Sequence, residues 1–194
     1  MIYRNATIID IPNIESLQKR YHVSFINEEE KKNGFVTTLF TPEQLTELIE
    51  QENGISIACD GDKVVAYAMA GSWQFWSKWS LFQFMIADLP NTTYLGQTLS
   101  TENSYQYGPV CIDMAYRGQG VLEALFAHST RQMSKRYPIL ITFINYFNPR
   151  SFKAHTEKVG LEVIKSFVFN GNNYYELGYD TAHAASVDSA GNPS

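Results

Sequence analysis

Residues 107–125, YGPVCIDMAYRGQGVLEAL, hold the residue pattern with the most chemical content in this chain. The apolar run Val110-Cys111-Ile112 reads as a buried strand. It leads into Tyr116-Arg117-Gly118-Gln119-Gly120, and a helical period starts at Val121. A strand, a glycine-bearing turn and a helix start present unpaired backbone N–H groups at the positive end of a helix dipole. Gly118 and Gly120 remove the Cβ atoms that would keep a phosphate away from those groups. The pattern therefore reads either as an anion site or as a plain tight turn, and alone it allows both. No lysine follows the second glycine, so it is not a P-loop. No acidic ribose reader follows it either, which sets it apart from dinucleotide-binding folds.

The elements that must position this turn follow from periodicity and punctuation. Residues 2–9 read as a first strand. Asp10 ahead of Pro12 signals a helix start, and the segment to Phe25 is amphipathic. Residues 27–33 read as a solvated charge run. Thr41 as N-cap with Pro42 after it opens a helix carrying Leu45, Leu48 and Ile49 on one face, with Gly54 as its stop. Residues 55–59 and 64–69 read as strands joined by the hairpin signal Asp60-Gly61-Asp62-Lys63. Residues 73–86, WQFWSKWSLFQFMI, place three tryptophans and three phenylalanines in fourteen positions. Residues 91–103 are polar and turn-rich. Residues 121–136 are helical, with Leu122, Leu125, Ser129 and Met133 on one stripe. A strand over 138–145, a short helix over 149–158 ended by Gly160, and a hairpin of 163–169 with 174–179 complete the order. The order β-α-α-β-β-β-α-β-α-β-β predicts a mixed α/β fold around one sheet with both directions of pairing.

Composition narrows the function classes. A chain of 194 residues, 44% hydrophobic and 18% charged, is ordinary globular material with enough length for a core. The division expected is a single domain over 1–181 and a flexible polar tail over 182–194, AHAASVDSAGNPS. The formal net charge of -5 argues against general nucleic-acid or anionic-membrane binding. No apolar stretch has the length of a membrane span, and the first residues lack the pattern of a secretory leader. Cys59 and Cys111 lie in apolar runs without metal spacing and read as buried free thiols of a cytoplasmic protein. No metal is expected.

With these residues in place, the chain resembles the GNAT N-acetyltransferase superfamily. Ile112-x-Met114-x-Tyr116-Arg117-Gly118-Gln119-Gly120 is similar to the family's acetyl-CoA signature. Asn148-Pro149-Arg150-Ser151, then His155 and Gly160-Leu161, is similar to its second signature. The element order matches over roughly residues 2–180. The chain departs from the family pattern in several places. Leu122 stands at a usual Gly or Ala, Met114 at a common Pro, and His155 at a frequent Tyr. One extra residue lies between His155 and Gly160, and residues 73–86 replace a short connection.

The resemblance implies a GNAT-type acyl-CoA transferase fold, with a central splayed sheet flanked by helices. It implies acetyl-CoA as co-substrate, in the gap where the strand ending near Met114 parts from the strand 138–145. Backbone groups of Ile112 and Met114 would pair with pantetheine. Amides of Arg117, Gly118, Gln119, Gly120, Val121 and Leu122 would hold the pyrophosphate. Arg117's side chain either adds charge there or solvates the turn. Asn148 would bond pantetheine, cap its helix, or both. Ser151 joins it as a cofactor-binding candidate, with a structural bond to His155 as the other reading.

Direct acetyl transfer to an amine needs a neutral amine, stabilisation of developing negative charge and an outlet for the thiolate. His155 is the catalytic candidate, as the acid for that thiolate. Glu102, Tyr105, Tyr107 and Asp113 are available as bases, and Asp113 reads better as a helix-end or surface carboxylate. Tyr105 and Tyr107 share a strand face and are candidates for the acceptor pocket, with core packing as the alternative. Residues 73–86, Trp73 among them, read as a lid, an acceptor wall or a homodimer surface, or as a helix packed on the core. The function expected is an acetyl-CoA-dependent N-acetyltransferase acting on a small-molecule or peptide amine. The alternative is an acetyl-CoA-binding sensor or scaffold with little turnover.

Overall fold

In the computed structural model, which describes residues 1–182, the chain is a mixed α/β protein with flanking helices. Seven strands form one mostly antiparallel sheet in the order β1-β2-β3-β6-β7-β9-β8, where β1 is Ile2–Asn5, β2 Ile55–Asp60, β3 Lys63–Gly71, β6 Ser104–Ile112, β7 Ile139–Asn145, β8 Glu162–Phe169 and β9 Asn172–Asp180. A small separate ribbon pairs β4, Thr93–Tyr94, with β5, Gln97–Thr98. Contacts divide the chain into two compact units. One comprises Met1–Ala70 with Gly108–Ser129, the other Gly71–Tyr107 with the chain from Thr130 on.

The first unit shows how local signals set the elements. Helix α1, Ile11–Tyr21, buries Ile14, Leu17 and Tyr21, a stripe of helical period. The expected first strand is shorter than 2–9, because the chain turns at Thr7. Asp10 accepts from the Thr7 N–H at 2.8 Å and pairs with the Arg4 guanidinium at 2.8 Å, drawing residues 8–10 into a 3-10 turn. The charge run 27–33 is not merely solvated. It contains α2, Glu28–Lys31, held by a reciprocal cap. Asn27 Oδ1 accepts from Glu30 N, and Glu30 Oε2 accepts from Asn27 N, both at 2.9 Å. Thr41 and Gln44 make the same box ahead of α3, Pro42–Glu50. Cys59 and Cys111 are buried free thiols.

Gly54 is required by space rather than by a turn. A Cβ there would lie 1.8 Å from the carbonyl oxygen of Ala70, whose N–H donates to Gly54 O at 2.7 Å. We expect Gly54→Ala to cost at least about 3 kcal/mol, because backbone rather than a flexible side chain must yield. That corresponds to a fall of roughly 6–12 °C in Tm by thermal denaturation.

In the second unit the aromatic segment resolves into α4, Trp73–Trp76, and α5, Ser80–Asp88. Ser72 Oγ caps α4 by accepting from Phe75 N at 3.3 Å. Trp73, Met85, Leu89, Tyr94, Leu99, Ile139 and Ile141 make one buried cluster, bordered by Phe82, Phe143 and Phe167. The aromatic density thus builds a core. The turn-rich stretch carries the β4–β5 ribbon across Leu95 and Gly96, both at positive φ. β6 pairs parallel with β7 from Ser104↔Ile139 to Gln106↔Ile141, and β9 pairs antiparallel with β7 and β8. Leu122, Leu125, Ser129 and Met133, the expected stripe of α6, Val121–Met133, are all buried. Most of the tail 182–194, with His183, lies outside the described residues.

Candidate functional site

Within the first unit the glycine turn has the geometry of an anion cradle. Gly118 and Gly120 have φ of 76° and 78°, in the left-handed region, and nothing lies within 4 Å of where a Cβ would stand on either. Ala124 N donates to Gly120 O at 3.2 Å, so the N–H groups of Val121, Leu122 and Glu123 precede the first helical bond and carry the positive end of α6. Gln119 Nε2 braces the turn by donating to Ala115 O at 2.8 Å. Backbone amides and open space together fit a phosphate group.

Arg117's side chain has another task. Its Nε donates to Ile112 O at 2.8 Å, its guanidinium donates to Asn33 O, and it lies over the Tyr21 ring at 5.1 Å. The arginine fastens the turn to the strand end and to the segment after α2. The backbone groups assigned to pantetheine are also engaged. Ile112 O accepts from Arg117 and retains a second lone pair, but the Met114 N–H has one proton and donates it to Tyr21 Oη at 2.7 Å.

Asp113 is a helix-end carboxylate, the N-cap of the 3-10 turn Met114–Tyr116, but it does not lie on the surface. It is 1% exposed and accepts from Ala115 N at 3.1 Å, from Tyr21 Oη at 3.2 Å, from Arg20 at 3.0 Å and from Lys63 at 3.3 Å. Burial pushes its pKa up, but the Ala115 N–H, Lys63 and Arg20 outweigh burial and hold the carboxyl below its ordinary value.

Within the second unit Asn148 caps α7, Pro149–Lys153, by accepting from Ser151 N at 3.2 Å. The helix continues as a π-turn over Ala154–Lys158. This turn absorbs the extra residue counted between His155 and Gly160, and such single-turn bulges recur at functional sites. His155 is 8% exposed. Its Nδ1 lies 2.8 Å from Ser151 O and 3.3 Å from Ser151 Oγ. A carbonyl only accepts, so Nδ1 carries the proton and Nε2 keeps its lone pair. Burial lowers the ring's pKa, opposed by the Ser151 carbonyl, so the neutral form prevails at neutral pH. The acid role read from the sequence would need a proton that the resting ring does not hold on Nε2.

The three acceptor-pocket candidates also fall in this unit. Tyr107 meets His155 edge-on, with ring centroids 6.2 Å apart. Tyr105, Tyr107 and Trp73 are all buried, and the Trp73 indole donates to Ser104 Oγ at 3.0 Å. Tyr107 O accepts from Thr142 Oγ1 and Gln106 Nε2, both at 2.6 Å, one residue beyond the Gln106↔Ile141 pair of the β6–β7 register. Tyr105 Oη and Gln106 Oε1 are buried with no hydrogen-bond partner. Glu102 is exposed in the loop before β6.

Two buried polar residues were missed from the sequence. Tyr21 ends α1 on its buried stripe, where nothing local sets it apart from its apolar neighbours. Glu176 occupies an apolar β9 pattern; burial, reinforced by Asp88, raises its pKa against the opposing Lys165, 3.8 Å away. Among the described residues no group of three or more His, Cys, Asp or Glu is placed to hold a metal, and no helix is long and apolar enough to cross a membrane.

No protein-family model matches the chain, and no curated protein does. Solved structures do. An N-acetyltransferase from Staphylococcus aureus Mu50 superposes with a TM-score of 0.59 at 15% identity, over 93% of this chain and 98% of that one. A ribosomal-protein-alanine N-acetyltransferase from Brucella melitensis gives 0.60 at 17% identity, over 93% and 99%. A putative acetyltransferase from Salmonella typhimurium, solved with its cofactor acetyl-CoA, gives 0.60 at 12% identity, over 93% of both chains. With its mixed seven-stranded sheet, its flanking helices and these neighbours, the chain has the fold of the GNAT N-acetyltransferase superfamily.

Proposed function

We propose that the chain is an acetyl-CoA-dependent N-acetyltransferase that passes acetyl directly to an amine of a small molecule or peptide. The observation that carries this reading is the open cradle of Gly118 and Gly120 at the start of α6. Acetyl-CoA supplies the activated acetyl group. The N–H groups of residues 118–122 hold its pyrophosphate, with the helix dipole favouring the charge, while the Arg117 N–H closes the preceding turn by donating to Met114 O at 3.3 Å. Arg117 contributes by keeping the turn in place, through Ile112 O and Asn33 O. Asn148 and Ser151 complete the cofactor-binding set in this reading. Asn148 does so as a residue that also caps α7.

His155 moves the proton. Nε2 accepts a proton from the amine as it becomes nucleophilic and returns one to the departing sulfur. The Ser151 carbonyl holds Nδ1–H and fixes which nitrogen does the work. Burial, with Tyr107 meeting the ring edge-on, keeps the imidazole neutral.

The test is release of CoA from acetyl-CoA across a panel of primary amines and peptide N-termini, with product mass as a second readout. Acceptor-dependent release with a 42 Da gain on the amine, the ordinary mass of an added acetyl, is expected. Tight CoA binding without release against any acceptor would replace the enzyme reading with a sensor. Failure to bind CoA at all would overturn the cradle assignment.

A further inference from the structure

We propose that Tyr21 is a positioning residue that sets the anion-binding turn for its phosphate ligand, an inference that rests on reading Gly118–Gly120 as the pyrophosphate site. Tyr21 closes α1 and is 5% exposed. Its hydroxyl accepts from Met114 N at 2.7 Å and donates to Asp113 Oδ1 at 3.2 Å. Its ring carries the Arg117 guanidinium at 5.1 Å and that of Arg20 at 5.4 Å. One side chain therefore touches residues 113, 114 and 117, which lead the chain from β6 into Gly118.

The geometry explains why this contact matters to a ligand. Residues 114–116 form a single 3-10 turn between the end of β6 and the glycines. The first N–H of such a turn has no partner inside it and must find one outside. Here the partner is Tyr21 Oη, itself tied to a carboxylate that Arg20, Lys63 and Ala115 N hold from three other directions. The following amides bind a phosphate well only if their directions are set before it arrives. Packing alone would ask for the ring and not for the hydroxyl.

Tyr21→Phe keeps the ring and removes the hydroxyl. Two readouts follow it. Amide hydrogen exchange at Met114, and at Ala115, Tyr116 and Arg117, whose N–H groups are bonded within the same turn, is expected to speed up at least about tenfold, since the lost partner leaves the Met114 N–H free and loosens the turn. CoA affinity, measured by titration without any acceptor, is expected to fall about tenfold. The companion is Met114→Pro, which deletes the N–H that the hydroxyl serves at a position where proline suits the first helical residue. Measured against Met114→Pro itself, adding Tyr21→Phe is expected to change CoA affinity less than about twofold, because the interaction is already gone. A lower Tm with unchanged exchange in the turn would show a packing residue and overturn the proposal, as would an undiminished tenfold loss in the Met114→Pro background. If the unaltered chain bound no CoA, the pyrophosphate-cradle reading would fall, and the exchange measurement would still decide whether Tyr21 orders the turn.

Discussion

Gly120→Val is expected to bind CoA about a hundredfold more weakly than the unaltered chain, a loss of roughly 2.7 kcal/mol. Two effects add. Gly120 holds φ of 78°, which a β-branched residue adopts only under strain, so the turn shifts and its amide directions change. The new side chain also fills the space in front of the helix start, where nothing now lies within 4 Å. That open space means the substitution meets no packed neighbour. Its cost to the fold is therefore limited to backbone strain of about 1–3 kcal/mol, a fall in Tm of several degrees. Titration of CoA into both proteins, alongside thermal denaturation, checks the pair of outcomes. A variant that bound CoA as tightly as the unaltered chain would remove the pyrophosphate from this turn.

His155→Gln is expected to lower turnover about a hundredfold while leaving CoA affinity within a factor of about two, the pattern of a lost proton carrier. The pH dependence carries the mechanism. The folded ring titrates below its ordinary 6.5 because burial disfavours the cation. Turnover that needs a bare Nε2 therefore falls as pH drops through the folded pKa, below about 6.5, and the glutamine variant lacks that limb. A histidine working from a protonated resting state would instead lose activity on the alkaline side.

Stability follows the same sign. Between the lowered folded pKa and about 6.5, the unfolded chain binds more protons than the folded one. Stability therefore rises with pH across that window and is lost as pH falls through it. In His155→Gln this contribution to the slope is absent. Rates and urea midpoints measured from pH 5 to 8 read both effects. An unchanged rate and profile would leave His155 as a structural residue beneath Tyr107.

Much of the fold was legible because its signals act over a few residues. Thr41-Pro42 with Gln44, Asn148-Pro149 with Ser151, and the Asp60–Lys63 hairpin each specify their own hydrogen bonds. The Asn27–Glu30 box was equally local and was hidden only by the charge around it. The aromatic segment was harder. Its density announced burial, and whether that burial served a core or a pocket wall depended on the strands and ribbon it would meet. Trp73 joined Leu89, Leu99 and Ile139 in one buried cluster, and its N–H went to Ser104.

For the site, the chain's own order was enough to specify a strand, two glycines at positive φ and a helix start in succession. Positive φ and unpaired helical amides arise from the backbone of the same dozen residues. Which groups around that turn are already spent was decided only in three dimensions. Met114's N–H is taken by a hydroxyl 93 positions earlier, and Arg117 reaches a carbonyl 84 positions away. Asp113 is a buried anion because Arg20 and Lys63 arrive beside it. His155 keeps its proton on Nδ1 because that atom faces Ser151 O, and stays neutral because burial disfavours the cation. Local sequence sets φ, caps and periods. Burial and protonation are set by whatever the rest of the chain packs against a group, and no window of a few residues contains that information.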